Sequence, residues 1–411
     1  MVITPRIFRY FSLLLPVLSL AVSACWNDGN SSAANNYPIT AVVLDTGSQI
    51  QDPDDLSGED PGSCSEDGMT GTVDCSIIYA ASNGGGIFKS TDAGANWKQM
   101  VNGLTEWNVT ALAIDPEVPD QLYAGTQNAG LFSSFTGGSA WTPIQLASIT
   151  AITGIVVDPN TCQTPNSPCT DIYVSSEESG VWVSRDRGLS WTQLNQGFIG
   201  SAVTAIQIYS YSLNPSVLYA GTEEGRFYMY NRLTQKWEQL LPGLSEITSA
   251  SPLVISVNPI TPTDIYIGTS GGESESQGGT FQSIDGGHTW NKVTIPNAAN
   301  FSVRVLTFCI QIEARCPVTV ADSKSDQDQI DERTDNVLYG GVYGLSRSYF
   351  VDQPNDWFNI DLGGQIQAGN NVSAMGIDNI KHTTIYAGTL AGFIVKTTDT
   401  GDTWTRIDLE F

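Results

Sequence analysis

Acidic side chains in short loops are the residues of this chain whose type and number could support chemistry. Hydrolysis of a glycosidic bond needs two carboxyl groups about 5–10 Å apart, one to donate a proton and one to act as base or nucleophile. The candidates in loops of one predicted face are Glu106, Glu177, Glu178, Glu223, Glu224, Glu246, Glu273 and Glu275. Because the chain has 43 acidic residues, such pairs also arise by chance, and a solvated acidic rim is the favoured interpretation.

Two aromatic residues accompany these acids. Trp107, in the segment LTEWN, and Tyr343 lie on the same predicted face. Their rings could stack on a sugar or contact a protein partner. We therefore predict a partner-binding surface that contains Trp107, Glu223, Glu224 and Tyr343, and no catalytic residue.

The elements that must position these residues belong to a sevenfold repeat. A tyrosine in a short strand opens each unit, at Tyr79, Tyr123, Tyr173, Tyr219, Tyr266, Tyr339 and Tyr386. A tryptophan closes each unit, at Trp97, Trp141, Trp191, Trp237, Trp290, Trp357 and Trp404. A period of roughly 40–50 residues with β-type strands and glycine turns is typical of propeller blades. The pattern predicts an all-β, seven-bladed β-propeller of four-stranded antiparallel blades over residues 39–411, closed without an exchanged strand and with the indoles buried between blades.

The turn before the tryptophan carries a motif in four units. The matches are residues 90–97 (STDAGANW), 184–191 (SRDRGLSW), 283–290 (SIDGGHTW) and 397–404 (TTDTGDTW). In such a turn the aspartate accepts backbone N–H bonds and the glycine adopts a positive φ. We therefore predict structural roles for Asp92, Trp97, Asp186, Trp191, Asp285, Trp290, Asp399 and Trp404.

This motif resembles the Asp box of BNR-repeat propellers, which include sialidases, xyloglucan-cleaving hydrolases, sortilin-type receptors and photosystem II assembly factors. The resemblance implies the fold and places the box aspartates away from the binding face. Sialidases carry a characteristic arginine motif in their first blade, and residues 39–48 lack it. A glycoside hydrolase that uses two of the other acids, sialidase-like or xyloglucanase-like, stays open as the alternative function, because the fold does not specify the chemistry.

The N-terminal residues have the pattern of a secretion signal. Arg6 and Arg9 precede an apolar run that is too short for a membrane-spanning helix and ends in VSAC at residues 22–25. This stretch resembles a bacterial lipobox, which implies cleavage before Cys25 and acylation of that residue. The expected organisation is a lipoprotein signal peptide over 1–24, a flexible tether over 25–38 and the propeller. The expected location is extracytoplasmic and lipid-anchored, at the outer membrane of a Gram-negative bacterium.

Six further cysteines fall into close pairs. They are Cys64 with Cys75, Cys162 with Cys169, and Cys309 with Cys316. Neither their spacing nor the two histidines, His288 and His382, match a zinc site. The pattern predicts three local disulfides in an oxidising compartment and no metal site.

The net charge of the chain limits the classes of partner that it is expected to bind. A formal net charge of −25 repels nucleic acid and anionic lipid. Asp322, Asp326, Asp328, Asp331 and Asp335 raise the question of calcium, but the glycine of an EF-hand-like turn is missing and a solvated loop is favoured. We expect no cofactor and a monomeric, non-catalytic, membrane-anchored propeller. It would bind an envelope protein or polysaccharide and reach the membrane only through its lipid.

Overall fold

The fold of this 411-residue chain was analysed in a computed structural model. The structure describes residues 37–45, 65–66, 73–74, 76–146, 149–162, 167–200, 202–210, 216–240, 252–259, 261–270, 279–293, 303–309, 337–341, 345–348, 357–360, 372–378, 384–399 and 401–409. Of these, residues 65–66, 73–74, 305, 308–309, 337–341, 345–348 and 357–360 are described by their backbone alone. The predictions for residues 1–36 and for Cys25, Cys64, Cys75, Cys316, Tyr343, Glu246, Glu273, Glu275, His382 and the aspartates of 322–335 lie outside the described residues.

Backbone pairing joins the described strands into seven four-stranded antiparallel sheets and one two-stranded ribbon. The innermost strands are Ile39–Asp45, Val109–Ile114, Ile152–Val157, Val203–Tyr209, Pro252–Val257, Val305–Cys309 and Val372–Ile377. The second strands are Ile77–Ser82, Leu122–Thr126, Ile172–Ser176, Val217–Thr222, Ile265–Thr269, Val337–Gly341 and Ile385–Thr389. The third strands are Gly86–Ser90, Leu131–Ser134, Gly180–Ser184, Phe227–Asn231, Gly279–Ser283, Leu345–Ser348 and Phe393–Thr397. The outermost strands are Lys98–Gln99, Thr142–Ile144, Thr192–Gln193, Lys236–Gln239, Asn291–Val293, Trp357–Ile360 and Thr405–Asp408.

The prediction of an all-β propeller with four-stranded antiparallel blades is confirmed. We number the blades 1 to 7 in chain order. Side-chain packing is described for six of them, whereas blade 6 is described almost entirely by its backbone pairing. The remaining elements within the described residues are the ribbon of Ser65–Glu66 with Val73–Asp74 and a 3-10 turn at Pro159–Thr161. Among the residues that the structure describes, no helix has the length and apolar character needed to cross a membrane.

Hydroxyl groups connect the innermost strands of neighbouring blades. The second residue of the strand is a threonine or serine that donates to the carbonyl of the first residue in the next blade. The bonds are Thr40 to Val109 at 2.8 Å, Thr110 to Ile152 at 2.6 Å, Thr153 to Val203 at 2.7 Å, Thr204 to Pro252 at 2.6 Å and Ser373 to Ile39 at 2.6 Å. In each of these strands the pairing register shifts around the hydroxyl residue, and a local bulge re-aims a side chain in this way.

Blade 7 closes onto blade 1 through side chains. The Ser373 hydroxyl bonds to Ile39, and the Ala93 carbonyl of blade 1 accepts bonds from Tyr386 Oη at 3.0 Å and Lys396 Nζ at 2.8 Å. All four strands of blade 1 come from residues 39–99, and all four of blade 7 come from residues 372–408. The prediction of closure without an exchanged strand is therefore confirmed.

The repeat tryptophans occupy two different environments. In the intact boxes Nε1 closes the turn of its own blade by donating to a glycine carbonyl, as from Trp97 to Gly94 at 3.0 Å. In blades 2 and 4, which lack the motif, the indole donates instead to the preceding blade: Trp141 to Met100 and Trp237 to Leu194. These two indoles are only 4% and 3% exposed. Indoles of the motif turns also contact the preceding blade, as Trp290 does with Phe227 at 5.4 Å between ring centroids, and Trp404 is buried as well. The described indoles of the two groups therefore differ in the acceptor of their Nε1–H bond.

Candidate functional site

The propeller has two chemically different faces. The hairpin face contains the turns between second and third strands and the loops that lead from an outermost strand to the next innermost strand. The box face contains the turns between third and outermost strands, where the four motifs with aspartate, glycine and tryptophan lie. The sequence places its candidate catalytic acids on the hairpin face and its structural aspartates on the box face. The hydrogen bonds and pKa shifts of the two sets differ accordingly.

On the box face, the carboxylate of Asp92 is hydrogen-bonded within its own turn. Its carboxylate accepts bonds from the backbone N–H of Asn96 at 2.8 Å, from Asn96 Nδ2 at 2.7 Å and from Ser90 Oγ at 2.8 Å. Burial alone would raise the pKa of Asp92, but these bonds stabilise the charged form and lower the pKa. The carboxylate is therefore a turn former that has no free acceptor directed at a substrate.

The other three boxes repeat this arrangement. Asp186 accepts bonds from Ser190 and Ser184, which lower the pKa of Asp186 to about 2. In the same way Thr289 and Ser283 lower the pKa of Asp285. The pKa of Asp399 is also lowered: burial opposes the shift, but bonds from Thr397 and Thr403 outweigh it.

On the hairpin face, one position recurs in every blade, four residues after the repeat tyrosine. The described residues at this position are Asn83, Gln127, Glu177, Glu223, Ser270 and Leu390. Among them, only those of the adjacent blades 3 and 4 are acidic. The backbone N–H of Glu177 donates to Ala151 at 3.3 Å, and that of Glu223 donates to Ala202 at 3.0 Å. Since Ala151 and Ala202 directly precede innermost strands, both glutamates lie toward the inner ring of the face.

Glu177 is electrostatically different from the box aspartates. Partial burial raises the pKa of Glu177, and the neighbouring charges of Glu223 and Glu178 raise it further. A raised pKa keeps a carboxyl group protonated to higher pH, and this property suits a group that donates a proton to a leaving group. Glu177 and Glu223 are both exposed as whole residues, so a ligand can reach them even though protein surrounds part of the Glu177 carboxyl group.

Two other described acids of this face, Glu106 and Glu224, have polar or charged partners. Glu106 accepts bonds from the backbone N–H of Asn128 at 2.6 Å and from Asn128 Nδ2 at 2.7 Å. Oε2 of Glu224 lies 3.9 Å from Nη1 of Arg226. The predicted partner-binding group is therefore divided: Glu223 lies near Glu177, Glu224 lies near an arginine, and Trp107 lies on the blade 1 side of the face.

Sequence reasoning included Glu177 among many acids but did not distinguish it. The available signal was its register, since Glu177 and Glu223 stand at the same place in consecutive repeats. Trp107 is 45% exposed, as expected for a residue outside the box positions. On the box face His288 is exposed and its Nδ1 lies 2.7 Å from the Asp285 carbonyl, so it belongs to the turn.

One predicted disulfide is present among the described residues. Cys162 is bonded to Cys169, and the backbone N–H of Cys169 donates to Asp115 at 2.8 Å. These three residues are the one group in the described part of the chain whose donor atoms converge as metal ligands would. Because both sulfurs are in the disulfide, the group does not offer the thiolates that a metal site would use. The side chain of Cys309 is not described.

Comparison of the sequence with curated proteins finds xyloglucanases. The chain is 24% identical over 372 residues to xyloglucanase Xgh74A of Acetivibrio thermocellus. This alignment covers 75% of this chain and 42% of that protein. It is also 25% identical over 265 residues to a probable oligoxyloglucan-reducing end-specific xyloglucanase of Neosartorya fischeri. This second alignment covers 53% of this chain and 31% of that protein. The chain thus spans less than half the length of these relatives. No protein-family model matches it.

Solved structures show the same fold. An ancestral GH74 enzyme aligns with a TM-score of 0.59 at 14% identity, over 91% of this chain and 48% of that chain. YCF48 bound to D1 peptide aligns with a TM-score of 0.52 at 13% identity, over 79% of this chain and 90% of that chain. At these identities the likeness concerns the β-propeller fold and not the activity.

The prediction of a non-catalytic binding propeller is contradicted. The curated relatives that the sequence matches are glycoside hydrolases, which favours the carbohydrate-active enzyme that the sequence had left as the alternative. The physical reason for the error is the abundance of acids. Residues 39–48 lack the arginine motif of sialidases, but a glycosidase needs only two carboxyl groups, which are difficult to identify among 43 acidic residues.

Proposed function

We propose that this protein is a glycoside hydrolase that acts on a β-linked glucan such as xyloglucan, and that Glu177 and Glu223 are its two reacting carboxyl groups. The observation that carries the proposal is the raised pKa of Glu177 beside Glu223 on the exposed hairpin face. The similarity to xyloglucanases supports the substrate class.

The two glutamates take different roles in this proposal. Glu177 stays protonated to a higher pH than an ordinary glutamate, so it donates the proton to the oxygen of the leaving sugar. Glu223 acts on the other side of the glycosidic bond, either on water or on the anomeric carbon. Their electrostatic coupling serves this division, because the negative charge of Glu223 disfavours ionisation of Glu177.

The acidic surface agrees with a neutral polysaccharide as substrate. A chain with a net charge of −25 repels anionic polymers, whereas a glucan carries no charge. The box aspartates have no part in the reaction in this proposal, since their oxygens accept bonds from their own turns.

The test is release of reducing ends from xyloglucan by the purified chain and by isosteric variants. Glu177→Gln and Glu223→Gln are each expected to lower the rate by about 10²–10⁴-fold, the usual contribution of general acid–base catalysis. Glu238→Gln, which removes an exposed carboxylate from the outermost strand of blade 4, should leave the rate within about twofold, as surface substitutions usually do. Turnover by the wild type that persists in both glutamine variants would contradict the assignment.

A further inference from the structure

An aromatic residue lies on each side of the hairpin of blade 1. The hairpin runs through Gly84, Gly85 and Gly86, which present no side chains. A Cβ added at Gly84 would overlap the ring of Tyr37, and one added at Gly86 would lie 3.8 Å from Cγ of Trp107. Tyr37 is 36% exposed and Trp107 is 45% exposed. Two accessible rings thus flank a hairpin in which Gly84 is half-buried and Gly85 and Gly86 are buried.

The backbone that carries Trp107 is fixed from both neighbouring blades. Its carbonyl accepts bonds from the N–H groups of Gly84 and Gly86, each at 3.0 Å. The preceding residue, Glu106, is held by Asn128 of blade 2 at 2.6 and 2.7 Å. This support restricts the Trp107 loop before any ligand arrives, which lowers the entropy lost on binding.

The surroundings favour a neutral ligand with flat apolar faces and many hydroxyl groups. Asn83 and Asn108 are half-buried and pair through their backbones at this hairpin. Nδ2 of Asn108 donates to Oε1 of Glu106 at 3.1 Å, and an amide side chain can both donate and accept hydrogen bonds. A β-linked glucan presents apolar sugar faces to aromatic rings and hydroxyl groups to such amides. A polyanion would be repelled by the net charge of the chain.

We propose that Tyr37 and Trp107 form a second, non-catalytic surface that holds a neutral β-linked glucan chain by ring stacking. We call it the blade 1 platform. It lies apart from Glu177 and Glu223, which belong to blades 3 and 4. Glu106 is a positioning residue of the platform, because it holds the Trp107 loop against blade 2. The ligand class rests on the proposed function, but the site rests on the geometry of blade 1.

Calorimetric titration of the full chain with xyloglucan oligosaccharides tests the platform. The titrations use the Glu177→Gln background, and turnover of the wild type is measured separately. Trp107→Ala is expected to raise the Kd about tenfold or more and Tyr37→Ala about three- to tenfold, while Trp107→Phe keeps most of the affinity. Phe135→Ala, which removes an exposed ring from the box face, is the matched control and should leave the Kd within about twofold. Equal melting temperatures show that each variant is folded.

The outcomes separate the platform from the hydrolase. Glucan binding that depends on Trp107 and Tyr37 supports the platform even if the wild type shows no turnover. Turnover with an unchanged Kd in Trp107→Ala and Tyr37→Ala supports the hydrolase and overturns the platform. Absence of glucan binding in the parent, or binding there of a peptide in place of a glucan, also overturns it.

Discussion

Glu177 on the hairpin face of this propeller and four aspartates on its box face have pKa shifts of opposite direction. On the box face, hydrogen bonds from the local turn lower the pKa of Asp92, Asp186, Asp285 and Asp399. On the hairpin face, partial burial and neighbouring acids raise the pKa of Glu177. A carboxylate whose oxygens are already bonded by its own turn contributes to folding, whereas one placed near other acids is available for proton transfer.

The largest expected effect on stability concerns the indoles of the box face. Trp141 is almost fully buried and donates to Met100 of the preceding blade. Trp141→Ala should lower the free energy of unfolding by about 3–5 kcal/mol, the usual cost of truncating a buried tryptophan. Trp97→Ala should cost less, because Trp97 is only half-buried and closes its own turn. Denaturant unfolding measures both free energies. Equal losses in the two variants would show that turns with and without the motif do not differ in how much their indoles stabilise the fold.

The next effect is the loss of a box carboxylate. Asp92→Ala removes the acceptor for Asn96 and Ser90. It should cost about 1–3 kcal/mol, because the hydroxyl group of the buried Ser90 and the part-buried N–H group of Asn96 lose their partner. Thr91→Ala, an exposed change in the same turn, is the matched control and should stay within about 0.5 kcal/mol. If Asp92→Ala stopped glucan hydrolysis without affecting unfolding, the division between the faces would be wrong.

The fold could be predicted from the sequence because its determinants recur. Tyrosine, glycine and tryptophan at fixed spacing define the four strands of a blade, as residues 109–144 illustrate. The strands observed there are Val109–Ile114, Leu122–Thr126, Leu131–Ser134 and Thr142–Ile144. A single short segment is difficult to assign as a strand from its sequence, but the same pattern in seven repeats makes the assignment secure.

The site could not be predicted in the same way. Every repeat has a residue four positions after its tyrosine, and the type of that residue varies. Glu177 and Glu223 form a pair only because blades 3 and 4 are neighbours in space. Tyr37 was assigned to a flexible tether, yet it packs beside Gly84, a contact between sequence-distant residues. A pKa shift likewise depends on neighbours in space, and the sequence of one chain does not give those distances directly.

The smallest predicted effect refines the role of Glu177. Glu178 contributes to the raised pKa of Glu177, so Glu178→Gln should lower that pKa. A general acid must be protonated, and the basic limb of the pH–rate profile would therefore move to lower pH, by less than about one unit. The maximal rate should change little. A basic limb that stayed in place or moved upward would argue against Glu177 as the proton donor.

Carboxyl 13C NMR titration of Glu177 and Asp186 in one sample tests the central claim most directly. For Asp186 we predict a pKa of about 2, below its ordinary 3.8, so its stabilisation of the fold is present above pH 4 and is lost as the pH falls toward 2. For Glu177 we predict a pKa above its ordinary 4.5. Assignment comes from Glu177→Gln and Asp186→Asn. A Glu177 carboxyl that titrates at or below 4.5 would contradict the account.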